Sequence, residues 1–182
     1  MTIEIRQRRP FRAAAATLAL LALAGCARIR TTQSKDAAFI YGFIDVPEAV
    51  GSASCVGIIQ DERVGIAGRH QCMMTSPEGL FFIEDVPPMR YNIHGFYVDR
   101  TFNSLGAMAK PFAVGAGEMH FVGSFRYREL ERPGIGRAGR YSLTPAARPS
   151  HAEILKKLLL QDVGPRWRTR INARLRELGA AK

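Results

Sequence analysis

The sequence is poor in the residues that carry most protein chemistry. Its 182 residues include three cysteines, four histidines and one tryptophan. No C-x-x-C or H-x-x-x-H spacing occurs, so the usual metal-ligand patterns are missing. No G-x-S-x-G elbow presents a serine nucleophile. Acids are outnumbered, 16 against 26 basic residues, which gives a net charge of +10. No apolar run spans a bilayer: the stretch Ala13–Leu23 is 11 residues long and Arg28 and Arg30 close it, short of the about 20 residues a span needs. Hydrophobic residues at 47% and charged residues at 23% exclude a disordered chain, and 17 glycines without a triplet period exclude collagen.

The start of the chain reads as an export signal. Arg6, Arg8, Arg9 and Arg12 precede the uncharged stretch AAAATLALLAL. A basic segment followed by a short apolar one is the pattern of a secretory leader. The run ends in Leu23-Ala24-Gly25-Cys26, which resembles the lipobox of bacterial lipoproteins. The resemblance implies removal of residues 1–25 and acylation of Cys26, and so a membrane partner reached through a lipid anchor. Two or more acyl chains hold a protein at a membrane stably where one does not. The alternative is an ordinary leader with an incidental cysteine. Ala27, in place of Asp, resembles the sorting signal for the outer membrane, periplasmic side. Arg8-Arg9-Pro10-Phe11 also resembles a twin-arginine signal, but Arg12 stands where Leu is usual and no cofactor motif accompanies it. General export is therefore the expectation, and no cofactor is expected.

Cys55 and Cys72 then remain. They permit one intramolecular disulfide, in a compartment that allows it, or two buried free thiols.

Residues 38–127 read as a mainly β domain. AFIYGFIDV at 38–46 carries Phe39, Tyr41 and Phe43 on one face and Ile40, Gly42, Ile44 and Val46 on the other. Apolar residues on both faces predict a strand covered on both sides. Further strands are expected at 55–60, 79–83, 91–98, 112–114 and 118–127. In the last, Met119, Phe121, Gly123, Phe125 and Tyr127 alternate with His120, Val122, Ser124 and Arg126. Short strands divided by Gly and Pro turns predict an antiparallel β-sandwich of Ig-like type. The segment Gly79–Ile83, with Asp85-Val86-Pro87-Pro88 and Tyr91, resembles prealbumin-like and carboxypeptidase-regulatory-like sandwiches, although Met89 stands where Gly is usual. Residues 112–125 resemble a strand of small bacterial lipoproteins with this fold. That resemblance implies a fold and an envelope location, and no activity.

The chain divides into a leader at 1–25, a tether at 26–37, the sandwich at 38–127, a Gly/Pro/Arg-rich linker at 128–149, and two amphipathic helices, a C-terminal helical hairpin, at 150–182. The linker contains a formal G-x-G-x-x-G at 134–139, but Pro133 precedes it and no strand-to-helix context supports nucleotide binding. Ser150-His151-Ala152-Glu153 is a capping box opening the first helix, and Pro165 suits the first turn of the second. Ile154, Leu155, Leu158 and Leu159 form one apolar stripe, and Trp167, Ile171, Leu175 and Leu178 another. Arg166, Arg168, Arg170, Arg174 and Arg176 lie opposite. These helices either pack on the sandwich or on each other, or dock on a partner or a membrane surface.

Three functions compete. One is a non-enzymatic envelope binding or accessory module. Another is a polyanion- or membrane-surface-binding module that uses the five arginines against an anionic polymer or an acidic envelope protein. The last is a hydrolase with His94 or His120 at a sandwich edge. His70 and His151 lie in no motif, nor do Ser52, Ser54, Ser104 and Ser124, and the acid pairs Asp61-Glu62 and Glu84-Asp85 read as solvated turns. The charge discriminates further. Residues 26–125 hold 8 basic and 10 acidic residues, and residues 126–182 hold 14 and 5. Once the leader is removed, all the excess sits in the last third, in an exported chain for which nucleic acid is not an expected partner.

Overall fold

A computed structural model describes residues 34–47, 51–60, 70–98, 101–105, 110–131 and 139–179. The described residues form two sheets and two C-terminal helices. β1 (Ala38–Asp45), β4 (Leu80–Val86), β8 (Met119–Glu131) and β9 (Arg140–Pro145) make the first sheet, in the order β4-β1-β8-β9. β2 (Ala53–Gln60), β3 (His70–Met74), β5 (Arg90–Val98) and β6 (Thr101–Ser104) make the second, in the order β3-β2-β5-β6, and the short β7 (Phe112–Ala113) also pairs with β5. The expected antiparallel sandwich needs one correction. β1 and β8 run parallel, so the first sheet is mixed. That pairing joins elements about eighty residues apart, and residue alternation carries no sign of strand direction.

Both faces of β1 are buried, as its sequence predicts. Ala38, Ile40 and Ile44 meet Val56, Ile58, Ile93 and Phe96 of the second sheet. Phe39, Tyr41 and Phe43 meet helix α1 (His151–Leu159) and helix α2 (Pro165–Glu177) through Ile154, Leu158, Trp167 and Ile171. The molecule is thus three layers: sheet, sheet, helices. The apolar stripes of the helices lie on the sandwich and on each other, the first of the two expectations for them, except that Leu178 is exposed.

β8 departs from its predicted alternation. Its register against β1 slips by one residue between Phe121 and Gly123. Gly123 has φ +134, a conformation side chains rarely adopt. One extra residue in a strand turns the residues beyond it to the other face. Met119 and Phe121 therefore face the helices, while Phe125 and Tyr127 face the second sheet. Nor do residues 128–149 form a linker throughout. β8 runs on to Glu131, and β9 returns antiparallel to it, with Tyr141 stacked on Tyr127 at 5.6 Å.

Glu84 and Asp85 are also corrected. Rather than forming a solvated turn, they receive the start of α2. Glu84 accepts from the Gly164 N–H at 3.1 Å, and Asp85, at φ +55, accepts from the Trp167 indole at 3.0 Å. Asp61 and Glu62 lie outside the described residues.

Candidate functional site

One opening lies between the two sheets. It is a cavity of about 520 Å³. The first sheet supplies Ile44, Val122, Phe125 and Leu143, and the second supplies Val56, Ile93 and Phe96. The slip in β8 is what brings both Val122 and Phe125 to this side. Of the described lining residues Lys110, Pro111 and Pro145 are exposed, so the cavity opens beside them. Its size falls in the range of small-molecule sites, roughly 300–1,000 Å³. Among the described residues the lining carries no hydroxyl, thiol or carboxylate side chain.

Among the described lining residues Lys110 and His120 carry polar side chains. His120 stacks on Phe112 with ring centroids 4.6 Å apart and an interplanar angle of 6°. Its Nδ1 lies 3.0 Å from Glu118 Oε1. The other Glu118 oxygen accepts from the Gly115 N–H at 2.5 Å. Burial pushes the Glu118 carboxyl up, but the Gly115 N–H and His120 outweigh it and hold the group below its ordinary value. An ionised Glu118 can only accept, so His120 Nδ1 is the donor of this hydrogen bond.

His94 and His120 do not converge. His94 lies on the outer face of the second sheet, over Gly57, where an added Cβ would sit 2.7 Å from its ring. Phe102 flanks it at 5.4 Å. His151 opens α1 and belongs to the helix interface: its Nε2 lies 2.6 Å from the Tyr41 hydroxyl, and its ring stacks on Phe121 at 4.5 Å. Burial lowers its pKa, with the nearby Arg174 charge acting in the same direction. The imidazole is therefore the acceptor and the Tyr41 hydroxyl, itself pushed up by burial, the donor. The His70 side chain lies outside what the structure describes. Ser124 donates to the Pro149 carbonyl at 3.2 Å, and Ser52, Ser54 and Ser104 are each engaged within the fold. Among the described residues no three His, Cys, Asp or Glu side chains gather as a metal site requires.

The five arginines are engaged within the chain. Arg166 donates to the carbonyls of Ser34, Lys35 and Ala37 at 2.6–2.9 Å, and its guanidinium lies over the Trp167 ring at 4.7 Å. Arg168 gathers the carbonyls of Leu159, Gln161 and Val163 at 2.6–2.9 Å, closing the C-terminal end of α1. A cation there also meets the negative end of the helix dipole. Arg170 donates to the Gly117 carbonyl and lies 5.4 Å from the Trp167 ring. Arg174 pairs with Glu177 at 2.6 Å, and Arg176 reaches the Asn172 carbonyl at 3.4 Å. The sequence places all five on one polar surface; it does not show that long side chains fold back onto carbonyls.

Cys55 and Cys72 form a disulfide between β2 and β3, with Cα atoms 5.5 Å apart. That spacing is normal for a bridge. Cys26, the leader and residues 134–138 of the glycine motif lie outside the described residues. The cavity gave no sequence signal, because its lining comes from eight separate segments and reads, locally, as ordinary core. No protein-family model, curated protein or solved structure matches the chain.

Proposed function

We propose that this chain is an envelope lipoprotein of the bacterial outer membrane, anchored through Cys26, whose prealbumin-like sandwich binds an apolar ligand and performs no chemistry on it. The cavity between the sheets carries the reading. An apolar enclosure of about 520 Å³ corresponds to roughly seventeen water volumes, and water there would find few polar partners. An apolar occupant removes that mismatch. The turn resemblance gains support from Tyr91, which is fully buried and donates its hydroxyl to the Pro87 carbonyl at 2.6 Å. The polyanion reading draws on arginines that the fold uses for its own carbonyls, so the cavity is the better-supported site.

The test is saturable binding of a neutral apolar dye, N-phenyl-1-naphthylamine, to the purified full-length protein. One dye per chain is expected, with loss of binding in Val122→Trp and Leu143→Trp, each filling the cavity from a different strand. Circular dichroism separates filling from unfolding. Absence of saturable binding, or binding indifferent to both fillings, overturns the reading. The anchor is tested separately by incorporation of an alkyne-labelled palmitate, which Cys26→Ser should abolish.

A further inference from the structure

We infer that the occupant of the inter-sheet cavity is a single acyl chain with an anionic head, the chain between the sheets and the head at Lys110. This rests on the cavity being a binding site and adds the class of ligand.

Three observations carry it. The first is volume. If a chain carbon takes about the share of a water, roughly 30 Å³, the cavity of about 520 Å³ holds roughly seventeen. That is one long acyl chain. The second is chemistry. The walls come from two facing sheets and, His120 and Lys110 apart, the described lining is apolar, so an acyl chain is buried there with few polar groups beside it. The third is charge at the mouth. Lys110 is exposed, sits next to Pro111 at the rim, and no carboxylate is among the described lining residues. Glu118, the acid beside His120, stands off the lining, and both its oxygens are engaged, one by Gly115 and one by His120. Lys110 is therefore the charge that a head group at the opening meets. Its three donors match a carboxylate or phosphate. A cationic head at the same place would face it as a like charge.

A free fatty acid and a lysophospholipid share this chemistry, and the experiment separates them. The purified full-length protein, delipidated over a hydrophobic resin, is loaded with N-phenyl-1-naphthylamine. The dye is then displaced by ligands held below their critical micelle concentrations. One series runs through saturated fatty acids of rising length. Affinity is expected to rise about fourfold per methylene, the burial of one CH₂ converted to a ratio, and to level off near sixteen to eighteen carbons. A second series holds the chain at sixteen carbons and changes the head: carboxylate, alcohol, trimethylammonium and lysophosphatidylglycerol. The anionic heads are expected to bind best and trimethylammonium worst. Stronger displacement by the carboxylate than by lysophosphatidylglycerol identifies the free acid as the source, and the reverse identifies the phospholipid. Lys110→Ala should weaken the anions by up to about fivefold while leaving the alcohol unchanged, and Lys110→Glu should invert the order of carboxylate and trimethylammonium.

Equal displacement by all heads, with Lys110→Ala silent, overturns the anionic head while the apolar cavity stands. Dye binding that no single-chain amphiphile displaces overturns the ligand class. A protein that binds no dye at all fails at the earlier reading instead.

Discussion

At the scale of single residues, the contact between Tyr41 and His151 shows how a histidine that lies in no motif becomes a packing element. Tyr41 is 1% exposed, and its hydroxyl needs an acceptor because an unpaired buried hydroxyl is costly. The His151 imidazole supplies one at 2.6 Å from the first turn of α1. It is held between that hydroxyl and the Phe121 ring, with Arg174 nearby, and both burial and this charge favour the neutral form. The folded pKa therefore lies below the ordinary value of 6.5. The unfolded chain takes up this proton first as pH falls. Its stabilisation is thus fully present above about pH 6.5 and is lost as pH drops from there through the folded pKa. We expect the thermal midpoint to decline more steeply below pH 6.5 in the wild type than in His151→Phe. The variant keeps the stack but leaves the Tyr41 hydroxyl without its partner, at a cost of about 1–3 kcal/mol near neutral pH. Tyr41→Phe added to it should recover most of that loss. Equal slopes in wild type and variant would remove His151 as the cause.

At the scale of elements, what was legible and what was not divide along one physical line. α1 was legible because its start is written locally. Ser150 accepts from the Glu153 N–H and Glu153 accepts from the Ser150 N–H, four residues that need no tertiary context. β1, β5 and the start of β8 were legible because their apolar residues are dense. The edge strands β3 (HQCMM), β6 (TFNS) and β9 (RYSLTP) were not. Each is short and has no dense run of β-branched or aromatic residues, and it is a strand because a neighbour presents unpaired backbone to it. The direction of β8 against β1 and its slip at Gly123 are likewise set by pairing across the sheet. The cavity depends on that slip, so the candidate site was hidden for the same reason. Prediction at this scale belongs to the cap: Ser150→Ala should cost about 1 kcal/mol in urea unfolding, and Ser150→Asp should restore it. A loss below a few tenths would mean that packing on the sheet, and not the box, fixes where α1 begins.

At the scale of the whole molecule, the C-terminal third changes meaning. By charge it is a basic tail, 14 basic residues against 5 acidic. By structure it is a layer. Its helices cover Phe39, Tyr41, Phe43 and Leu80, which form a continuous aromatic and aliphatic face of the first sheet. Trp167 at 1% exposure anchors α2 to Asp85, and Arg166 ties the same helix to the carbonyls of residues 34, 35 and 37, where the chain enters β1. The end of the chain thus holds its entry into the first sheet in place. Removing residues 150–182 would bare a patch of several large side chains, of the kind that drives association. The truncated protein should therefore lose its cooperative thermal transition, bind 1-anilinonaphthalene-8-sulfonate and sediment as aggregates. Deleting the tail is for that reason a poor probe of polyanion binding, since binding and folding would be lost together. Neutralising Arg174 and Arg176 to Gln is the cleaner probe: one pairs within the helix at an exposed position, and the other makes a single long contact to a carbonyl. A truncated chain that stayed monomeric and unfolded at the wild-type temperature would show instead that the two sheets stand alone and that the helices are an appendage free to engage something else.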